Sequence, residues 1–110
     1  MAKIRTPQEM RAARRGDGWA QMLLTDEHTG AGLPMRATRW VLQPAGHTPE
    51  LAQGEAETML YVIRGSGVVL VGGTRHPLEA ETVLWLEPGD RYRLEAGPKG
   101  LELLEGTVRG

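Results

Sequence analysis

Three imidazoles and no thiol set the limits of what this sequence could do as chemistry. His28, His47 and His76 are its histidines and it has no cysteine, so a thiolate metal site and a disulfide framework are both excluded. His28 lies in the polar turn DEHTGAGLP and His76 directly precedes Pro77 on a hairpin return, both places where an imidazole is solvated. His47 opens the one sizeable irregular stretch, His47 to Ala56, and such loops carry binding function more often than the strands beneath them. The plainer alternative for His47 is a surface histidine. Gly65-Ser66-Gly67 looks at first like a phosphate cradle, but a strand follows it, and a cradle needs a helix N-terminus there. Arg11, Arg14 and Arg15 form a local basic cluster that reads as cations favourable to a helix C-terminus.

These groups must be positioned by a small scaffold. The chain has 110 residues, enough for one domain that buries roughly two-thirds of its unfolded surface. Its 13 basic and 14 acidic residues give a net charge of -1, which offers phosphate backbones little attraction and makes nucleic acid an unsuitable partner. MAKIRTPQEMRAARR has no apolar signal-peptide core, and no later run approaches the roughly 18 apolar residues of a membrane span. A cytoplasmic protein is the expectation.

Thr6-Pro7-Gln8-Glu9 has the form of a helix start, with Thr6 as cap, Pro7 at the first helical position and Glu9 closing a capping box. The spacing predicts one short helix ending near Gly16, so residues 1–17 form an arm and helix and residues 18–108 a barrel. From Trp19 onward the sequence changes to short β-rich runs between glycine and proline punctuation: GWAQMLL, MRATRWVLQ, TMLYVIRG, GVVLVGG, TVLWLE, RYRLEA and LELLEGTV. That rhythm argues for a sandwich or barrel of antiparallel strands. Gly65-Ser66-Gly67 and Gly72-Gly73 are expected as successive hairpin turns of a meander.

The order of these runs resembles the cupin superfamily of small jelly-roll barrels, over most of the chain from about Trp19 to Val108. The first motif of that family runs G-x5-H-x-H-x3,4-E-x6-G. Anchored on Gly65 at the end of TMLYVIRG, it puts Thr58 where the glutamate belongs, and Gln53 and Leu51 where the histidines belong. Gly46 opens it with a spacer one residue short. In the second motif, G-x5-P-x-G-x2-H-x3-N, anchored on Gly89, Tyr92 stands for the last histidine, Glu81 for the first glycine, Glu87 for the proline and Ala96 for the asparagine. Leu51, Gln53, Thr58 and Tyr92 therefore occupy the metal positions. Leucine offers no lone pair, and neutral amide, hydroxyl and phenol oxygens are poor donors to a divalent first-row ion. No cofactor is expected. A one-residue slip of the strand would turn Glu57 inward to join Gln53 and His47 in a makeshift site, at the cost of turning Leu60 and Val62 outward.

The resemblance implies an all-β, antiparallel jelly-roll barrel with an interior lined by Leu51, Gln53, Thr58, Leu60, Val62 and Tyr92, and with Trp40 and Leu42 adding an apolar wall. A few polar groups over aliphatic walls suit a small organic ligand; packed side chains that satisfy one another are the alternative. The favoured function is a non-catalytic small-molecule-binding barrel, paired as a homodimer through edge strands as cupins commonly are. A metal-free isomerase or epimerase would use Tyr92 as acid and His47 as base. A metalloenzyme would need the substitute ligands, and an interaction protein would use the barrel only as scaffold.

Overall fold

The computed structural model describes residues 6, 12–25 and 35–108. Its strands are β1 (Ala12–Gly16), β2 (Trp19–Leu23), β3 (Met35–Leu42), β4 (Leu51–Ala52), β5 (Glu57–Val71), β6 (Thr74–Glu79), β7 (Val83–Leu86) and β8 (Arg91–Val108). All pairings are antiparallel.

The architecture follows from β5 and β8, which at 15 and 18 residues are each shared by both layers. The first half of β5 pairs with the second half of β8 and with β7; after Gly65 its second half pairs with the first half of β8 and with β6. The second half of β8 also carries β3, which carries β2 and then β1, while its first half carries β4. Register shifts between Val62 and Arg64 and between Gly65 and Gly67 mark the corner where β5 passes from one layer to the other.

Alternation along the strands fills the space between the layers. Thr58, Leu60 and Val62 of β5 are buried while Glu57 and Met59 are exposed. Trp40 and Leu42 of β3, Val69 of β5, and Leu94, Leu101 and Leu103 of β8 complete the core.

This is the all-β antiparallel barrel expected, with corrections. Gly65-Ser66-Gly67 is a bend within β5, not a hairpin turn, and RYRLEA and LELLEGTV are likewise one strand. Gly72-Gly73 is a tight turn as expected, joining Val71 to Thr74 with both glycines at positive φ. β6 escaped sequence reading because Pro77 sits inside it; as the end strand of its layer it tolerates a missing N–H.

The N-terminal helix is also corrected where it can be seen. Ala12–Gly16 is strand β1, turned back onto β2 through Asp17-Gly18, with Gly18 at φ 80°. Asp-Gly between two extended runs is the local signal for such a hairpin. The rest of the expected helix, residues 7–11, lies outside the described residues. Among the described residues no helix is long and apolar enough to cross a membrane.

Candidate functional site

Strand pairing aligns the inward side chains into rows that cross the barrel. Arg36 of β3 faces Thr107 of β8, which faces Thr58 of β5. In the next row Thr38 faces Glu105, which faces Leu60; beyond it Arg14, Gln21, Trp40, Leu103 and Val62 follow one another across the strands. Directly opposed residues share a face of the sheet, so each row lies on its inward side, with Arg14 and Arg36 exposed at the row ends. From the other layer, Leu51 pairs with Tyr92, and Tyr92 with Val71.

Hydrogen bonds connect these rows in one direction. Gln53 Nε2 donates to the Ala56 carbonyl at 2.9 Å and to Thr58 Oγ1. Thr58 and Thr107 hydroxyls are 2.9 Å apart, and Thr107 donates onward to Glu105 Oε2 at 3.0 Å. Since a hydroxyl has one proton, Thr107 must accept from Thr58, which in turn accepts from Gln53. The relay ends on Glu105, whose other oxygen accepts the Trp40 indole N–H at 2.8 Å. A second branch runs from Arg14 Nε to Gln21 Oε1 at 2.9 Å and from Gln21 Nε2 to Thr38 Oγ1 at 3.0 Å. The Arg14 guanidinium lies 5.7 Å from the Trp40 ring centre, and Trp19 stacks at a tilt on the same indole with ring centres 5.6 Å apart.

Leu51, Gln53, Thr58, Leu60, Trp40 and Tyr92 thus converge on the interior, all but half-buried Gln53 being buried. The pKa of Tyr92 is driven above its ordinary value by burial and then by the charge of Glu105, while Arg14 and Arg36 pull it partly back. The phenol is therefore a standing hydrogen-bond donor at neutral pH and a weak acid.

His47 is not part of this cluster. Its backbone bridges to Glu95, a place three residues along β8 from Tyr92, or about 10 Å of strand, and its side chain is exposed. The acid–base pair of Tyr92 and His47 is not assembled. His76 is exposed on β6, and His28 lies outside the described residues.

The residues at the metal positions do not fit a divalent ion. Leu51 has no donor atom, the Gln53 amide and the Thr58 hydroxyl are committed to each other, and the Tyr92 phenol holds its proton. Glu57 is exposed and Leu60 and Val62 are buried, so the strand has not slipped to bring a carboxylate inward. Among the described residues no three His, Cys, Asp or Glu side chains come together.

Sequence reasoning missed Glu105, Arg14, Gln21 and Arg36. For Glu105 the signal was present: Leu101 and Leu103 begin an inward alternation that continues through Glu105 and Thr107. Arg14 was hidden by the expected helix.

Residues 35–104, which hold most of these rows, match the family model described as an AraC-like ligand binding domain. The chain belongs to the AraC-like ligand-binding domain family. Solved structures agree with that family at the level of fold. A predicted oxalate decarboxylase from Thermotoga maritima superposes with a TM-score of 0.83 at 18% identity, covering 98% of this chain and 100% of that one. An RmlC-like cupin from Shewanella frigidimarina gives 0.79 at 16% identity, covering 100% and 93%. An 11S globulin from Wrightia tinctoria gives 0.82 at 24% identity, covering 94% of this chain but 28% of its own length. No curated protein matches the sequence. The AraC-like domain described here is thus a cupin barrel whose interior carries an ordered polar relay.

Proposed function

We propose that this barrel binds a small organic molecule in its interior, with Gln53, Thr58, Tyr92 and Glu105 orienting it over walls formed by Leu51, Leu60 and Trp40. The observation that carries this reading is the one-way relay from Gln53 to Glu105 inside an otherwise leucine- and valine-rich core. A core needs no such groups, and burying a carboxylate costs several kcal/mol unless it is matched. Membership of a ligand-binding family supports the same reading, and one neighbour of the same fold, the 11S globulin, carries an auxin binding site. The expected result of a thermal-shift screen with sugars, polyols, and aromatic and aliphatic acids is at least one compound that raises Tm. Tyr92→Phe is expected to weaken that compound about fivefold, the worth of one hydrogen bond. A flat response across the screen would remove the proposal.

Pairing with a second copy belongs to the same proposal, through a sheet face in preference to an edge. Met59, Val83, Trp85, Leu104 and Val108 are exposed by 43, 59, 53, 40 and 44%. They project outward from neighbouring strands, with Met59 opposite Trp85 and Leu104 opposite Tyr61. Their combined exposed area is roughly 400 Å², at the level that marks functional patches on monomers. Two such patches with their polar rims approach the roughly 1,200 Å² of a stable interface. One end of the patch carries Arg39 and Arg64 sharing Glu102, the other Glu57 and Glu87, so a two-fold axis sets unlike charges against each other. Light scattering should give twice the 12.0 kDa chain mass, and Trp85→Glu should halve it while leaving the fold intact. A wild-type protein of single mass would show that the face does not self-associate.

A further inference from the structure

Every glycine but one in the described strands is required by the chain around it. A Cβ on Gly16 would strike the Trp19 indole, on Gly65 the Gly100 carbonyl, on Gly67 the Glu95 carbonyl, on Gly97 the Ser66 hydroxyl and on Gly100 the Leu42 carbonyl. Gly106, within β8, is the exception. Its φ is not left-handed, and among the described residues nothing lies within 4 Å of a Cβ built on it. A glycine there only weakens the strand, unless something from outside approaches that closely.

The side chain is missing from the middle of the exposed apolar face. Glu105 and Thr107 on either side are buried, so Gly106 opens outward between Leu104 and Val108, which are exposed. Across the strands it is flanked by Ala37 and Met59, and Met59 in turn by Trp85. The next outward row along the same strands is Arg39, Leu104, Tyr61 and Val83. The face therefore carries a notch at Gly106 beside a knob at Leu104.

We infer that a second copy of this chain fills the notch, Leu104 of each copy seating over Gly106 of the other. This rests on the pairing reading above and gives it a register. A two-fold axis that lies between the copies and crosses the strands between the two rows exchanges those rows, so Leu104 meets Gly106, Met59 meets Tyr61 and Trp85 meets Val83. The facing strands then run antiparallel, in the aligned class of sheet packing. The same operation carries Arg64, near one end of the patch, over Glu57 at the other, and both are exposed. An axis along the strands would instead set Arg64 against Arg64 and Glu57 against Glu57, which like charge opposes. Shape and charge thus select the same axis.

Sedimentation equilibrium of the full chain tests the register apart from the pairing. Gly106→Leu fills the notch in both copies and is expected to raise the dimer dissociation constant roughly tenfold or more, the effect of overpacking a closed contact. In the Trp85→Glu background, where the chain is single, the same substitution should leave Tm unchanged or raise it. Leu104→Gly combined with Gly106→Leu moves knob and notch together and should restore the double mass. Undiminished pairing of the Gly106→Leu protein, or a folded double variant that stays single, would overturn the register and leave the pairing standing. A fall in Tm in the Trp85→Glu background would also overturn it, because the space above Gly106 would then be filled within the chain. A wild-type protein of single mass would remove both.

Discussion

Trp40→Ala is expected to destabilise the barrel by about 3–5 kcal/mol, the range for deleting a fully buried aromatic side chain. Trp40 is 0% exposed and lies at the centre of the row that joins β2, β3, β8 and β5. Its loss opens a cavity, removes the ring beside Trp19 and Arg14, and leaves Glu105 Oε1 without its donor. Domains of this size are stable by about 5–15 kcal/mol, so the change consumes a large share of the total and lowers Tm by on the order of 15 °C. Trp40→Phe separates the causes. It keeps most of the ring and removes the N–H, so its cost, about 1–3 kcal/mol, measures the stranded carboxylate oxygen. Urea denaturation of both variants checks the ordering. An alanine variant that loses less than about 1 kcal/mol would mean that the indole is not in the core.

What could be read in advance depended on whether a signal was local. The alternation of TMLYV fixed which face of β5 is buried, and Thr58, Leu60 and Val62 are inside as their spacing requires. Length was the harder quantity. A glycine pair inside a β-rich run can end a strand or bend it, and the difference lies in partners far along the chain. Gly72-Gly73 has no backbone crossing it and forms a turn; Gly65 and Gly67 run against Gly100 and Glu95 of β8 and form a corner. At the N-terminus a capping box and an Asp-Gly hairpin signal competed over adjacent residues, and over Ala12–Gly16 the hairpin prevailed. β1 there pairs with β2, which would otherwise leave a row of backbone groups unmatched.

The site was legible in outline through the glycine landmarks, which placed Leu51, Gln53, Thr58 and Tyr92 on the interior. Its charges were not, because each had a more ordinary explanation. Glu105 reads as a polar residue in a surface strand until the inward row of Leu101 and Leu103 is followed past it. Arg36 sits at a strand end where an arginine on either face reaches water. Only the cross-strand register puts Arg36 opposite Thr107 and Glu105 beside Trp40, and register is a property of two strands together.

The corner itself supplies the sharpest test of the fold. Gly65→Ala is expected to cost about 3 kcal/mol or more, while Gly72→Ala, which also has positive φ, costs about 1 kcal/mol. Gly72 is at φ 56° with open space around it, so a methyl group there meets only the conformational penalty. Gly65 is at φ 89°, and a Cβ on it would lie 2.2 Å from the Gly100 carbonyl oxygen. That oxygen is backbone and cannot swing aside as a flexible side chain does. To admit the methyl group, β5 and β8 must separate at the point where both change layers, which also disturbs the bulge between Gly65 and Gly67 and the register that follows it. Register beyond the corner sets Val71 against Tyr92 and hence Tyr92 against Leu51. The Gly65 variant should therefore lose ligand-induced stabilisation along with intrinsic stability, whereas the Gly72 variant should keep the former. Parallel denaturation curves for the two proteins decide the matter: equal losses would mean that β5 and β8 do not cross closely at Gly65, and the corner that joins the layers would have to lie elsewhere.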